Sequence, residues 1–168
     1  MSEFQKNSHC SYCGTAFAAD AMWPRRCDYC GNTTYSNPLP VSVVLLPIDN
    51  GLLLVRRTQE PQAGRWALPG GFIETGETWQ EAGAREMREE TGYRIDPAGI
   101  CLFDTRSAPD GTLLVFGLAQ AVASASLPVF TASSETSEAF IATGPMELAF
   151  STHTETAARY WKEIARHE

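Results

Sequence analysis

The strongest constraint on how this chain can fold lies between Thr78 and Gly92, where apolar and acidic side chains claim the same side of one helix. Thr78 followed three residues later by Glu81 is a capping-box start, and Thr91-Gly92 is a helix stop, so the residues between them are predicted to be helical. At 100° per residue from Thr78, Trp79, Ala82 and Met87 fall at roughly 100°, 40° and 180°, on the face that should pack against the body. Glu89, Glu86 and Glu90 fall at roughly 20°, 80° and 120°, on that same half. An ordinary acidic surface would lie opposite. Ionised carboxylates this close repel, raise one another's pKa and resist burial, and hard divalent cations resolve the conflict. Mg²⁺ takes oxygen ligands, keeps several waters and bridges substrate phosphates. Pro69-Gly70-Gly71, just ahead of the helix, would let backbone and substrate approach closely. No P-loop sequence is present, and the glycine pair with three carboxylates suggests metal-assisted attack on a phosphate ester or anhydride.

A second constellation precedes it. Cys10 and Cys13, then Cys27 and Cys30, form two C-x-x-C knuckles, each followed by a glycine, Gly14 or Gly31, where the backbone can turn its N–H groups toward the thiolates at positive φ. Four thiolates suit a tetrahedral zinc ion in a structural site closed to substrate. Two disulfides or a redox pair would need an oxidising compartment or a thioredoxin-like setting, and neither is visible. Residues 1–36 are too poor in aliphatic side chains to hold a core without the metal, which makes them a zinc-ribbon domain, with residues 37–168 as the second domain. Ser36-Asn37-Pro38-Leu39-Pro40 is the stiff joint between them. Cys101, in Ile100-Cys101-Leu102-Phe103, is expected to be a core residue.

Beyond the joint, residues 41–46 and 52–57 read as two strands of a hairpin around Asn50-Gly51. Residues 95–103, 113–121 and 138–142 read as further strands, residues 121–137 as a loop, and residues 152–166 as a helix with Ala157, Tyr160, Trp161 and Ile164 in its apolar stripe. The 13 Lys and Arg against 20 Asp and Glu give a net charge of −7, which disfavours nucleic acid as a partner. No apolar run approaches the roughly 20 residues that span a bilayer, and the N-terminal residues lack a secretion signal, so membrane association is not expected and a cytoplasmic location is.

Gly71, five residues, Glu77, seven residues, then Arg85-Glu86-Met87-Arg88-Glu89-Glu90-Thr91-Gly92-Tyr93 resembles the Nudix box at every charged and glycine position. Met87 and Tyr93 replace the aliphatic residues usual there and remain apolar. The resemblance implies an α/β/α sandwich with a mixed sheet, in which the box forms a loop, helix and loop on one side. It implies that Glu86, Glu89 and Glu90 bind Mg²⁺ or Mn²⁺, with the Gly70 carbonyl a further ligand, and that Glu77 and Arg85 organise the loop against the helix by paired hydrogen bonds. The implied reaction is metal-dependent hydrolysis of the diphosphate linkage in a nucleoside diphosphate derivative. Glu89 acts either as base or purely as ligand, and Glu135 and Glu138 are the candidates if a later loop supplies the base.

Zinc knuckles ahead of such a domain resemble the NADH pyrophosphatase branch, but residues 103–111 do not match the SQPWPFP-like array of that branch. The chain is closer to compact zinc-ribbon Nudix proteins associated with FAD or ADP-ribose, whose hydrolysis would release AMP and a second phosphomonoester. Arg56, Arg57 and Arg65 could meet phosphate, although neighbours on a strand, Arg56 and Arg57, cannot both face one site. Arg56 is taken as the contact, with Trp66 or Phe72 stacking a base and Glu74 reaching ribose or water. NADH hydrolysis is the alternative within the class. From another class comes a non-catalytic nucleotide sensor whose ribbon docks a partner, and a homodimer is left open.

Overall fold

The computed structural model describes residues 6–164, with side chains to residue 163. The chain divides into two compact units, Met1–Pro38 and Leu39–Glu168. In the first unit the two knuckles share one backbone pattern. Cys10 N–H donates to Thr15 O at 2.8 Å and Gly14 N–H to Cys10 O at 2.9 Å, while Cys27 N–H donates to Asn32 O and Gly31 N–H to Cys27 O, both at 2.8 Å. Gly14 and Gly31 have φ of 77° and 72°. A short ribbon, β1 (Arg25–Arg26) antiparallel to β2 (Thr33–Thr34), brackets the second knuckle. Its companions are few: Phe17 and Trp23 meet edge-on at 6.3 Å, with the Arg25 guanidinium over Trp23 at 4.4 Å.

The second unit runs β3 (Leu39–Leu45), β4 (Pro47–Ile48), β5 (Gly51–Arg57), β6 (Trp66–Ala67), β7 (Gly70–Phe72), α1 (Trp79–Thr91), β8 (Cys101–Ser107), β9 (Thr112–Leu118), β10 (Thr136–Ala142) and α2 (Ser151–Ile164). One sheet has the order β7-β3-β9-β8 and is mixed, because β3 and β9 are parallel. The other, β10-β5-β4 with β6 also on β5, is antiparallel throughout. Alternation along β3 and β5 divides the core. Val43, Leu45, Leu52 and Leu54 pack with Ala157 and Tyr160 of α2, whereas Val44, Leu46 and Leu53 pack with Met87 of α1. The expected α/β/α sandwich is therefore the observed architecture, with strands covered on both faces.

That double burial overturns the long hairpin. β3 and β5 belong to different sheets, and only Pro47-Ile48 pairs with Gly51-Leu52 around the turn. The chain changes sheet at Leu46-Pro47, where proline supplies no N–H to continue a ladder, and β3 instead takes β7 and β9 as neighbours. Residues 95–99 are not strand either. Pro97–Gly99 form a 3₁₀ turn capped by Asp96, whose Oδ1 accepts from Ala98 N–H at 3.0 Å. Cys101 is exposed, since it opens β8 at the free edge of the mixed sheet. The expected loop at 121–137 contains a 3₁₀ turn at Ser124–Ser126 and gives way to β10 at Thr136. Ala157 and Tyr160 of the predicted stripe are buried and Trp161 is partly so, while the Ile164 side chain and the helix end at 166 lie outside the described residues.

Helix α1 has the predicted caps. Thr78 Oγ1 accepts from Glu81 N–H at 3.2 Å, Glu81 Oε2 accepts from Thr78 N–H at 2.7 Å, and Gly92 closes the helix at φ 75°. Two strands tie its ends down, Ser42 Oγ donating to Trp79 O and Thr136 Oγ1 to Glu90 O, both at 2.7 Å. The buried face carries Ala82, Gly83, Glu86, Met87, Glu90 and Thr91. Glu89 departs from the expectation: it is exposed, because its position at roughly 20° on the wheel falls just beyond the packed arc of about 40° to 220°. No helix among the described residues is long and apolar enough to cross a membrane. Thr78→Ala, which removes one half of the reciprocal cap, is expected to lower stability to urea by about 1 kcal/mol. An unchanged urea midpoint would show that the box does not hold the helix start.

Candidate active site and metal centre

The chain gathers its carboxylates around one guanidinium. Arg85, one turn before Glu89 on α1, grips Glu77 of the preceding loop with both edges of its fork, Nη2 to Oε1 at 2.8 Å and Nε to Oε2 at 3.2 Å. Its Nη1 reaches Glu86 Oε1 at 2.7 Å and Glu89 Oε2 at 3.2 Å, and its Nη2 also donates to Phe72 O at 2.9 Å. The hydrogen bonds from Arg85 hold the Glu77 carboxyl below its ordinary pKa, and Glu77, foremost, raises that of Arg85 in return. Glu74 N–H adds a bond to Glu77 Oε1 at 2.8 Å, so the loop is pinned to the helix.

Beside this knot lies a cleft of about 400 Å³ whose walls include Glu74, Glu86, Glu89, Glu90 and Glu135. Arg57 and Arg85 are its cationic residues; Arg85 is engaged by carboxylates, and Arg57 donates to the loop carbonyls of Pro61 at 3.1 Å and Gln59 at 3.4 Å. Glu90 is buried and accepts one hydrogen bond, from Gly70 N–H at 2.9 Å. Burial pushes its pKa up to about 8, and the Glu86 and Glu135 charges add to the rise. Burial also raises Glu86, against the pull of Arg85. The surplus of negative charge in this pocket suits a hard divalent cation, but among the described residues only the four cysteines bring three or more ligand atoms within 4.8 Å of one another, so Glu86, Glu89 and Glu90 share a cleft without yet closing on one point. Glycine is required at its lip: a side-chain carbon at Gly71 would collide with the Glu86 carboxylate, and one at Gly70 with the Ser42 carbonyl.

Other candidates separate cleanly. Phe72 and Glu74 line the cleft, and so does Glu135. Glu138 does not, being paired with Arg56 at 3.3 Å. Arg56 and Trp66, expected as substrate contacts, lie away from it. The Arg56 guanidinium stacks on Trp66 at 4.5 Å, and Trp66 packs on Phe140 at 5.4 Å. Alternation along β5 sends Arg57 to the cleft instead, its guanidinium over Phe150 at 5.1 Å. Arg65 pairs with Glu147 at 2.8 Å. A second cavity of about 320 Å³ adjoins the cleft and shares Arg57, Gln59, Gly70, Gly71, Phe72 and Glu90 with it. Its further residues Phe150 and His153 belong to no sequence motif, although His153 sits on the α2 stripe at the helical spacing from Ala157 and Tyr160.

The four knuckle sulfurs all lie within 4.8 Å of one another, with Cys10 to Cys30 at 3.7 Å and Cys13 to Cys27 at 3.6 Å, and none is in a disulfide. A zinc tetrahedron with bonds of about 2.3 Å has sulfur–sulfur edges of about 3.8 Å, so the set fits that ion as it stands. Backbone N–H groups of Cys13 and Tyr12 lower the Cys10 thiol to about 6, which favours the thiolate ligand.

The family model described as NUDIX domain matches residues 37–162. A NAD-capped RNA hydrolase NudC from Klebsiella pneumoniae is 32% identical over 93 residues, covering 55% of this chain and 36% of that protein. An ADP-ribose pyrophosphatase from Methanocaldococcus jannaschii is 42% identical over 76 residues, covering 45% and 44%. The chain thus spans less than half of the length of either relative. A crystal structure of a NUDIX hydrolase from Nitrosomonas europaea superposes with a TM-score of 0.76 at 25% identity, covering 96% of this chain and 94% of the other.

Two measurements test the centres. Protein purified without added zinc is expected to carry about one equivalent of the metal, and a strong chelator should unfold the first unit. Absence of zinc with that unit still folded would sink the assignment. For Glu90, the folded carboxyl titrates near 8 against an ordinary 4.5, so between these values the folded state binds more protons than the unfolded. Its favourable contribution is complete below about pH 4.5 and is lost as pH rises toward 8. In protein freed of divalent metal, Glu90→Gln should therefore gain stability over wild type progressively from pH 5 to 8. A constant difference across that range would mean that Glu90 does not ionise against burial.

Proposed function

Since the chain belongs to the NUDIX domain family, we propose that it hydrolyses the diphosphate linkage of a nucleoside diphosphate derivative, FAD or ADP-ribose before NADH, to give AMP and a second phosphomonoester. The observation that carries this reading is the convergence of five glutamates on one cleft that opens into an apolar cavity. Glu86, Glu89 and Glu90, with the Gly70 carbonyl, would hold Mg²⁺ or Mn²⁺. When bound, such an ion neutralises phosphate oxygens and lowers the pKa of a coordinated water.

The chain's own groups divide the remaining work. Arg85 and Glu77 hold Glu86 and Glu89 in fixed positions, so the carboxylates need not reorganise when substrate arrives. Glu135 sits on the same cleft and is the group we assign to accept the proton of the attacking water. Glu89, exposed and within the cleft, serves as ligand. Arg57 lies at the junction of cleft and cavity, where a diphosphate would cross from one to the other. The ribbon contributes a zinc-held structural unit.

Identity to the NAD-capped RNA hydrolase keeps NADH as the second substrate to test. The segment that departs from the NADH array forms β8 and the turn after it, and Ala108 and Asp110 of that turn line the cavity, which favours the other order. With Mg²⁺ in ¹⁸O-labelled water, FAD or ADP-ribose should be split into two phosphomonoesters, one of them labelled. Glu89→Gln and Glu90→Gln should each slow turnover by at least roughly 10²-fold with the fold kept. Free nicotinamide or ribose, pyrophosphate released from nucleoside triphosphates, or no turnover at all would overturn the substrate assignment. The last outcome would favour a nucleotide sensor.

A further inference from the structure

The cavity beside the carboxylate cleft has aliphatic walls from Val41, Val43, Val55, Leu68 and Leu114, and its volume of about 320 Å³ lies in the range of small-molecule sites. Into this apolar setting α2 delivers one imidazole. His153 is 5% exposed, with its ring edge-on to Phe116 at 5.6 Å and tilted against Phe150 at 5.2 Å. Its Nδ1 is 3.3 Å from Leu68 N–H and accepts that hydrogen bond. Burial, with the Arg57 charge adding to it, pushes the ring's pKa down to about 3, so the imidazole stays neutral.

A neutral imidazole whose Nδ1 accepts must carry its proton on Nε2. That N–H has no protein partner among the described residues, and it is not one of the fully buried unpaired atoms, so it meets the open side of the cavity with its direction set by the neighbouring aromatic rings. The same cavity includes Asp110, whose carboxylate accepts from Thr112 N–H at 3.0 Å and Thr112 Oγ1 at 2.7 Å, bonds that favour its ionised, acceptor form. A donor on this cavity suits the N7 acceptor of an adenine edge, and the exposed Asp110 carboxylate at the rim of the same cavity suits the amino donor beside it. The corresponding edge of guanine presents two acceptors.

We propose that His153 is a specificity-determining residue whose Nε2–H donates to a ring nitrogen of an adenine base seated in this cavity, with the attached diphosphate passing Arg57 toward the glutamates. The inference rests on the reading of the cleft as the diphosphate site, and it adds which half of the substrate the enzyme recognises.

The test uses the full-length protein with its zinc and without added Mg²⁺. In ¹⁵N-histidine-labelled protein, AMP should shift the His153 Nε2 resonance and ribose 5-phosphate should not. Among 1-deaza-, 3-deaza- and 7-deaza-AMP, 7-deaza-AMP should bind about tenfold or more weakly than AMP and the other two within about threefold. His153→Phe, which keeps a ring but no donor, should abolish that discrimination. If the variant fails to fold, the resonance and the three analogues on wild type still decide. Equal affinity for all three analogues, a deaza penalty of the same size in His153→Phe, or a His153 shift with ribose 5-phosphate alone would overturn the assignment. The two readings fail separately. AMP recognition without hydrolysis of FAD or ADP-ribose leaves the adenine site and removes the activity, whereas hydrolysis with no deaza effect does the reverse.

Discussion

One guanidinium makes the rest of this site physically tolerable. Burying two carboxylates on a helix that must also pack against strands would ordinarily be too costly, and breaking a buried charge pair costs about 3–5 kcal/mol. Arg85 meets that demand for one of them, Glu86, from the same helix, bridging it to Glu77 and the exposed Glu89 in one planar fork. Because its partners come from both the loop and the helix, the fork also fixes the loop's course, including Gly71, where only a missing side chain leaves room for the Glu86 carboxylate. Glu90 escapes this neutralisation. It has a backbone N–H in place of a cation, and burial holds its carboxyl toward the neutral form, the setting in which we propose a divalent ion binds.

The strands behind the helix carry a second consequence. β3 and β5 are buried on both faces, so each alternate residue serves a different layer, and a single step along β5 separates the Arg56–Trp66 stack from the Arg57–Phe150 contact. Arg57 thereby stands where the acidic cleft meets the apolar cavity. Polar and apolar linings are thus adjacent, which suits the substrate class proposed above. His153 reaches the same cavity from α2, on the opposite layer from α1. The ribbon obeys different physics. With one packed aromatic pair, its tyrosines exposed and little aliphatic mass, it is expected to depend for its order on four sulfurs at the spacing of a metal tetrahedron.

Local chemistry was legible in the linear sequence. The capping box at Thr78 and Glu81, the stop at Gly92, the paired knuckles with Gly14 and Gly31, and the burial of Glu86 and Glu90 all follow from residue type and spacing over a few turns of chain. Such features depend on bonds between near neighbours, which a sequence contains in full. What the tertiary structure alone decided involves partners far apart in sequence. The sheet change at Pro47, the pairing of β3 with β9, the choice of Arg57 over Arg56, the separation of Glu135 from Glu138 and the arrival of His153 beside Leu68 each turn on which face a remote segment covers. Periodicity says that two faces exist. Only packing says which of them closes over the site.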